Sequence, residues 1–169
     1  LTGASGSGTT TLGQTLARRF AIPHFDTDAF YFFPTPIPFE QKRPPEDRVR
    51  LMMELFAPSP GWVLSGSIGD WAEPIAALFD LVVYLDVPTE MRLARIQARE
   101  AARFGSDAVA PGGWRHEASE FFTRWAAGYE TGALGGRSRE KHDSWLASLT
   151  CPVLRLDGSR GLDDLAREI

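Results

Sequence analysis

The 169 residues carry a net charge of −4 and have a pI near 5.4, which argues against nucleic acid as the main partner. The sequence has one cysteine, Cys151, so an internal disulfide is impossible and we expect a reducing, cytoplasmic location. No apolar run approaches the ~18 residues of a membrane span, and no signal-peptide pattern is present. The length and the 43% hydrophobic content suit a single domain over residues 1–169.

Strands and helices alternate along the sequence. Leu1-Thr2 is typical of the tail of a strand, and since the chain does not begin with Met we expect a few residues to precede it. Apolar residues at helical spacing predict a first helix over 9–20, which Pro23 ends. The further predicted strands lie near Phe25, Val63, Val83 and Leu154. The further predicted helices cover 46–56, 71–79, 89–104, 117–129, 139–149 and 162–169, with an irregular loop over 31–45.

This alternation predicts a three-layer α/β/α fold with a five-stranded parallel sheet and right-handed crossovers. Ligands in such sheets bind at the carboxyl ends of the strands. Polar residues concentrate at those ends, at positions 3–11, 26–28, 65–67, 86 and 157–161. The sequence therefore predicts the functional site at this edge of the sheet.

A phosphate-loop pattern stands at the first strand end. Residues 3–10 read G-x-x-x-x-G-x-[ST], with Thr9 where the motif has lysine. The glycines let backbone N–H groups and a helix N-terminus face one anion, and Thr10 stands at the magnesium position. The predicted phosphate-binding residues in the loop are Gly3, Ser5, Gly6, Ser7, Gly8, Thr9, Thr10 and Thr11.

Two aspartates follow the second predicted strand. In an extended chain Asp26 and Asp28 point the same way, and phosphoryl transfer needs one carboxylate near magnesium and one at the acceptor. We assign Asp26 with Thr10 to magnesium and Asp28 to the acceptor. An Asx turn that caps the following residues is the alternative.

Taken together, these motifs resemble small P-loop kinases of the adenylate kinase and shikimate kinase type, in particular bacterial adenylate kinase-like P-loop NTPases. The matching segments are 3–11, 25–28, 65–67, 87–89 with the arginines that follow, and 157–160. The departures are Thr9 for the Walker A lysine and Ser67 for a second glycine. The resemblance implies ATP as substrate, Mg²⁺ as cofactor, an acceptor insertion near residues 29–60 and a helical lid region near residues 100–140.

The resemblance also implies roles for basic residues. Arg95, Ser159 and Arg160 would surround the nucleotide base, and Arg99 would reach the phosphates; a solvated helix face is the alternative for the two helix arginines. Arg137 and Arg139 follow a Gly-Gly hinge in the lid region. We expect the charge that Thr9 lacks to come from Arg99 with Arg137 or Arg139, and these arginines and Asp28 are the catalytic candidates.

The acceptor site is less well defined by the sequence. Its candidate residues are Asp28, Arg43, Arg48, Ser65, Gly66, Ser67 and Trp71. The aromatic run over 30–33 would line an acceptor pocket or lie in the core. His24, His116 and His142 have no metal-ligand spacing and are interpreted as structural or surface residues.

Two functions fit these predictions. The first is an ATP-dependent phosphotransferase acting on a nucleotide or hydroxylated metabolite. The second is a nucleotide-binding module with little turnover. The carboxylates on the acceptor side favour the enzyme, because a pure binding module does not need them. A dinucleotide-binding domain is disfavoured, because a G-x-G-x-x-G frame read from Gly6 ends at Thr11.

Overall fold

Short parallel strands alternate with helices throughout the computed structural model, which describes residues 1–169 apart from the side chain of Asp70. The strands are β1 (Thr2–Gly3), β2 (His24–Asp26), β3 (Val63–Ser65), β4 (Val82–Asp86) and β5 (Val153–Asp157). The helices are α1 (Thr9–Phe20), α2 (Thr27–Tyr31), α3 (Pro45–Leu55), α4 (Glu73–Ala76), α5 (Thr89–Phe104), α6 (Ser106–Val109), α7 (His116–Ala127), α8 (Arg139–Ser148) and α9 (Leu162–Glu168). None of the described helices combines the length and the apolar character needed to cross a membrane.

The strands form a three-stranded sheet in the order β1-β4-β5 and a two-stranded sheet, β2-β3. Two backbone hydrogen bonds join the sheets: the nitrogen of Leu1 donates to the Leu64 carbonyl (2.8 Å), and Gly66 N–H donates to the Leu1 carbonyl (3.0 Å). The spatial order is therefore β2-β3-β1-β4-β5. Five parallel strands are present, but they form sheets of three and two strands, so the predicted five-stranded sheet is not confirmed.

Strand β4 separates two helical layers. Its alternate residues Val83 and Leu85 pack in a core with α1 and α9, whereas Val82 and Tyr84 pack against α8. Successive strand side chains point to opposite faces, so an apolar run without alternation is buried on both. Helices on both faces of β4 give the three layers that the sequence predicts.

A second core attaches the acceptor insertion to the sheet. Phe30 of α2 and Met52 of α3 pack with Phe56, Leu64 and Ile75. Phe25, Phe30 and Phe56 contact one another, with ring centroids 4.7–6.2 Å apart. These contacts hold α2 and α3 beside the carboxyl ends of β2 and β3.

Helix α2 is an element that the sequence analysis did not predict. Asp26 is its N-cap, and its Oδ1 accepts a hydrogen bond from Asp28 N–H (3.0 Å), as N-cap carboxylates do. Asp26 and Asp28 are thus a cap and a first-turn residue. The prediction that they share one side of an extended chain is wrong, because the cap turns the chain into a helix between them.

Candidate functional site

The phosphate loop, residues 3–10, connects β1 to α1. Gly6 and Gly8 have left-handed φ values of +84° and +95°, and Gly8 immediately precedes α1. The first N–H groups of a helix have no partner within it, so those of Thr9, Thr10 and Thr11 are available to an anion. Ser7 is 2% exposed, so its hydroxyl lies in the wall of the loop. Its N–H donates to the Ala4 carbonyl at 3.0 Å, and its predicted phosphate contact stays a prediction.

Gly6 is fixed by a close approach of helix α5. A Cβ at position 6 would lie 2.5 Å from the Arg92 carbonyl oxygen. We expect Gly6→Ala to lower the free energy of unfolding by about 2–5 kcal/mol, because backbone strain and overlap add. The control is Gly105→Ala, where φ is +93° but nothing lies within 4 Å of an added Cβ, so strain acts alone. Denaturant unfolding of both variants measures the difference, and equal losses would contradict the packing role.

Thr10 and Asp26 form the candidate magnesium position. Thr10 Oγ1 donates to Asp26 Oδ2 at 2.7 Å, which brings together the two residues that the sequence predicts. A hydroxyl and a carboxylate are the hard oxygen ligands that Mg²⁺ prefers. The described residues contain no group of three or more His, Cys, Asp or Glu side chains that could hold a metal by themselves. The pair therefore fits an ion that takes its remaining ligands from phosphate and water.

Asp28 lies beside this pair, and its N–H donates to Asp26 Oδ1. The residue is exposed, but protein atoms surround part of its carboxyl group. This partial desolvation, together with the charge of Asp26, raises the pKa of Asp28. Arg137, Arg99 and Arg103 oppose that shift through their positive charge. A carboxylate in contact with solvent inside an otherwise desolvated cleft has the environment of a general base.

Arg137 connects the lid region to the phosphate loop. Its Nη1 donates to Ser5 Oγ at 3.4 Å, and its charge interacts with Asp28, Tyr129 and Tyr31. Burial lowers the pKa of Arg137, but a guanidinium whose ordinary pKa exceeds 12 stays charged near neutral pH. A fixed positive charge therefore stands between the phosphate loop and the Asp28 carboxylate.

The other two catalytic candidates lie in different surroundings. Arg139 is bound to Asp86 (2.8 Å) and Glu130 (2.5 Å), so carboxylates already neutralise its charge. Arg99 lies 5.9 Å from the centre of the Phe122 ring, and its charge reaches Asp28. Of the two lid-region residues proposed to replace the Walker A lysine, the geometry favours Arg137 over Arg139.

Helix α5 places Arg95 across the loop. Its Nη1 donates to the Ser7 carbonyl (3.3 Å) and its Nη2 to the Gly158 carbonyl (3.3 Å). Arg95 thus spans the phosphate loop and the loop after β5, where the resemblance expects the nucleotide base. Arg160 is instead held by Glu168 at 2.8 Å, and Ser159 bonds to Asp157. Arg160 and Ser159, which were predicted to contact the nucleotide base, therefore bond to nearby residues of the same segment.

Arg92, on the same helix as Arg95 and Arg99, is a structural residue. It is fully buried and donates to carbonyls of Val87, Ser5 and Ala126. It also pairs with Glu130 at 3.3 Å. Arg92 therefore fixes α5 and α7 against the phosphate loop, and a spacing pattern alone does not separate this buried arginine from its exposed neighbours.

The loop after β3 supplies one buried and one accessible serine. Ser65 is fully buried and contacts His24 Nε2 at 2.8 Å and Asp26 Oδ2 at 3.5 Å, so its hydroxyl has partners within the protein, and its predicted acceptor contact stays a prediction. Gly66 has φ +112°, and a Cβ there would overlap the Thr27 hydroxyl, so its contribution is close packing. Ser67 is half-buried and contacts His142 Nε2 at 3.1 Å.

The basic residues of the acceptor insertion support its loop. Arg43 donates to the carbonyls of Phe30 (3.1 Å) and Phe32 (3.3 Å). Arg48 is 6% exposed, donates to the Arg43 carbonyl and stacks 3.6 Å from the Tyr31 ring centre. Arg43 Nε and Nη2 and Arg48 Nε donate to backbone carbonyls, so both residues help to build the insertion, and their predicted role as anion ligands stays a prediction.

The aromatic run divides between core and site. Phe30 is buried in the core. Tyr31 contacts Trp71 edge to face, with ring centres 5.9 Å apart, and Tyr31 lies close enough to Arg137 to affect its charge. Trp71 thus packs beside Tyr31, and its predicted acceptor contact stays a prediction. The core alternative for this run is correct for Phe30, and the pocket alternative stays a prediction for Tyr31.

The chain has a sequence relative among known proteins. The chain is 39% identical over 155 residues to a Bacillus subtilis (strain 168) protein described as "Uncharacterized protein YqaC", across 92% of this chain and 85% of that protein. No protein-family model matches the chain.

Solved structures provide the comparison of folds. A gluconokinase from Sinorhizobium meliloti 1021 superimposes with a TM-score of 0.50 at 15% identity, covering 99% of this chain and 85% of that one. An uncharacterized protein from Eubacterium ventriosum ATCC 27560 gives a TM-score of 0.45 at 11% identity, covering 99% and 92%. The gluconokinase likeness shows that the chain has a P-loop kinase-like fold.

Proposed function

The chain belongs to the family of YqaC, and we propose that it is an ATP-dependent phosphotransferase that acts on a small nucleotide or hydroxylated metabolite. One observation carries this proposal. Asp28 and the Arg137 guanidinium converge on a phosphate loop whose Thr10 is bonded to Asp26. A site that only binds a nucleotide needs the loop, but it does not need an acceptor-side carboxylate beside a fixed cation.

ATP binding is assigned to the phosphate loop and helix α5. The N–H groups at the start of α1 bind the phosphate oxygens, and the helix dipole adds to their attraction. Arg95 lies between the loop and Gly158, where its flat guanidinium has room to flank a purine base. The proposed order along α5, from the base to the acceptor, is Arg95, Arg99 and Arg103.

Thr10 and Asp26 would hold magnesium through the threonine oxygen and, with intervening water, the carboxylate. The ion supplies charge neutralisation at the β- and γ-phosphates when it is bound. Asp26 also caps α2 through its other oxygen, so the magnesium position and the first turn of α2 are mechanically one unit.

Asp28 acts on the acceptor. It accepts the proton of the attacking hydroxyl while that oxygen forms the new bond to the γ-phosphorus and the bond to the ADP oxygen breaks. Its raised pKa makes it a stronger base than an ordinary aspartate. Arg137, held at Ser5 by the lid region, stabilises the negative charge on the transferred phosphoryl group.

The second candidate function is a nucleotide-binding module. Thr9 favours it, because the loop lacks the lysine that normally reaches the outer phosphates. The arrangement of Arg137 and Asp28 favours the enzyme, since it restores a cation and adds a base.

ADP production separates the two functions. The test adds a panel of nucleoside monophosphates, sugar acids and polyols, one at a time, to the protein with MgATP. We expect the correct acceptor to increase ADP release by at least about tenfold, because the site positions that acceptor for the reaction. ATP binding without acceptor-dependent ADP release by any panel member would favour the binding module.

A further inference from the structure

A buried chain of hydrogen bonds runs from the lid region to the loop after β3. Ser67 Oγ lies 3.1 Å from His142 Nε2, and His142 Nδ1 lies 2.7 Å from Tyr129 Oη. Tyr129 Oη lies 2.9 Å from Tyr84 Oη. Tyr84, Tyr129 and His142 are each under 5% exposed, so water does not substitute for these partners.

The chain ends on a group that can only donate. Arg139 Nη1 lies 3.4 Å from Tyr84 Oη, and an arginine side chain has no acceptor atom. Asp86 and Glu130 hold Arg139 in place. The Tyr84 oxygen therefore accepts from Arg139, and the Tyr84 hydroxyl hydrogen must find its acceptor elsewhere.

Satisfying each buried hydroxyl sets the direction of every bond. Among the described residues, the acceptor available to the Tyr84 hydroxyl is the Tyr129 oxygen. The Tyr129 hydroxyl then donates to His142 Nδ1. A neutral imidazole with an accepting Nδ1 carries its proton on Nε2, so His142 donates to Ser67 Oγ. Burial lowers the pKa of His142 to about 4, which agrees with a neutral ring at pH 7.

Among the described side chains, this direction leaves the hydroxyl hydrogen of Ser67 without an acceptor. Ser67 is half-buried and follows Gly66, which packs against Thr27 beside Asp28. Ser67 Oγ contacts His142, and the positive charge of Arg137 acts on both His142 and Asp28. Ser67 is thus a hydrogen-bond donor in the surroundings that Arg137 shares with Asp28.

We propose that Ser67 is a specificity-determining residue whose hydroxyl donates to an unprotonated oxygen of the acceptor, a carboxylate or phosphate oxygen. This inference rests on the proposed phosphotransferase function and adds the acceptor chemistry to it. The positive charges of Arg99, Arg103 and Arg137 around Asp28 favour the same oxyanion. His142 and Tyr129 act as positioning residues, because they set the direction of the Ser67 hydroxyl without meeting the acceptor.

The direction of the hydrogen bonds from Tyr84 to Ser67 is tested without any ligand. Nitrogen NMR of the ¹⁵N-histidine-labelled protein at pH 7 identifies the tautomer of His142, whose signals are assigned by their loss in His142→Gln. We expect the Nε2–H tautomer. An Nδ1–H tautomer or an imidazolium would overturn the proposal. Because this measurement needs no ATP, its result is independent of the proposed function.

The acceptor contact is tested with matched probes. D-gluconate and AMP carry a carboxylate and a phosphate, and D-glucitol and adenosine are their neutral counterparts. Calorimetry should show that Ser67→Ala weakens binding of one oxyanion probe by about tenfold, the usual cost of a hydrogen bond to a charged group, with affinity for ATP unchanged. Which probe responds identifies the source of the oxyanion.

Two further variants keep this test specific. Ser67→Thr retains the hydroxyl and should retain the affinity, and Ser106→Ala, on the exposed surface of α6, should change nothing. Equal affinity of Ser67→Ala and the unsubstituted protein for the oxyanion probes would overturn the proposal. So would preference for the neutral counterparts, or no binding of either oxyanion probe by a protein that binds ATP.

Discussion

Replacement of Arg137 by alanine is expected to lower the phosphotransfer rate by about 10²–10³-fold, the usual loss when one preorganised donor to developing charge is removed. Arg137 is bonded to Ser5 of the phosphate loop and faces Asp28, whereas Thr9 supplies no charge. ATP affinity should fall much less, because the loop N–H groups remain. Steady-state ADP release and calorimetric ATP binding measure the two effects separately.

The matched control for this variant is Arg124→Ala. Arg124 lies on the exposed side of α7 in the same lid region, so its loss should leave the rate within about twofold, as for most surface substitutions. An Arg137→Ala protein with a third or more of the original rate would contradict the assigned role.

The substitution Thr9→Lys tests whether Arg137 replaces the lysine that the phosphate loop lacks. In the Arg137→Ala background, the new lysine should restore part of the rate, because it returns a cation to the outer phosphates. In the otherwise unchanged chain it should slow the reaction, since two cations would then compete for the same region. If the lysine restores no activity to the Arg137→Ala protein, Arg137 and the missing lysine do not serve the same purpose.

Asp28→Asn is expected to lower the phosphotransfer rate by about 10²–10³-fold, within the range for loss of a general base. Asparagine keeps the size of the side chain but cannot accept the proton. In the unchanged chain, the rate should fall as the pH is lowered through the raised pKa of Asp28. Asp107→Asn, an exposed substitution on α6, is the control, and a pH profile unaffected by Asp28→Asn would contradict the assignment.

The same substitution should stabilise the fold at pH 7. Because the folded-state pKa of Asp28 is raised above its ordinary value, folding favours the protonated carboxyl, and this contribution is lost as the pH rises through that pKa. Ionised Asp28 therefore destabilises the folded chain. We expect Asp28→Asn to raise the melting temperature at pH 7, with the difference shrinking below about pH 4, the ordinary aspartate pKa. A lower melting temperature at pH 7 would mean that the arginines, rather than burial, dominate the surroundings of Asp28.

The phosphate loop was predictable from the sequence because its chemistry is carried by the backbone. Gly6 and Gly8 have the left-handed φ values that such a loop requires, and Thr10 bonds to Asp26, the residue with which it was assigned to magnesium. Periodicity likewise located the strands and the longer helices to within a few residues, but not the short helices α2 and α6. Local sequence is sufficient where the structure depends on neighbouring residues.

The acceptor side was harder to predict because its residues meet through tertiary contacts. Arg43 and Arg48 were expected to bind an anion, yet Arg43 Nε and Nη2 and Arg48 Nε donate to backbone carbonyls. The residues next to His142 in the sequence form no motif, and its hydrogen-bond partners Ser67 and Tyr129 lie 75 and 13 residues away in the sequence. Whether an arginine is bonded within the protein or available to a ligand depends on such distant partners, which spacing does not encode.

A calorimetric titration of the intact chain with ATP, with Mg²⁺ and then with excess EDTA, tests the central claim most directly. The phosphate loop and the Thr10–Asp26 pair predict one ATP site per chain, with affinity that weakens when magnesium is removed and when Thr10 is replaced by alanine. ATP that produces no binding heat at millimolar concentration, with or without Mg²⁺, would contradict the phosphate-site assignment on which the account depends.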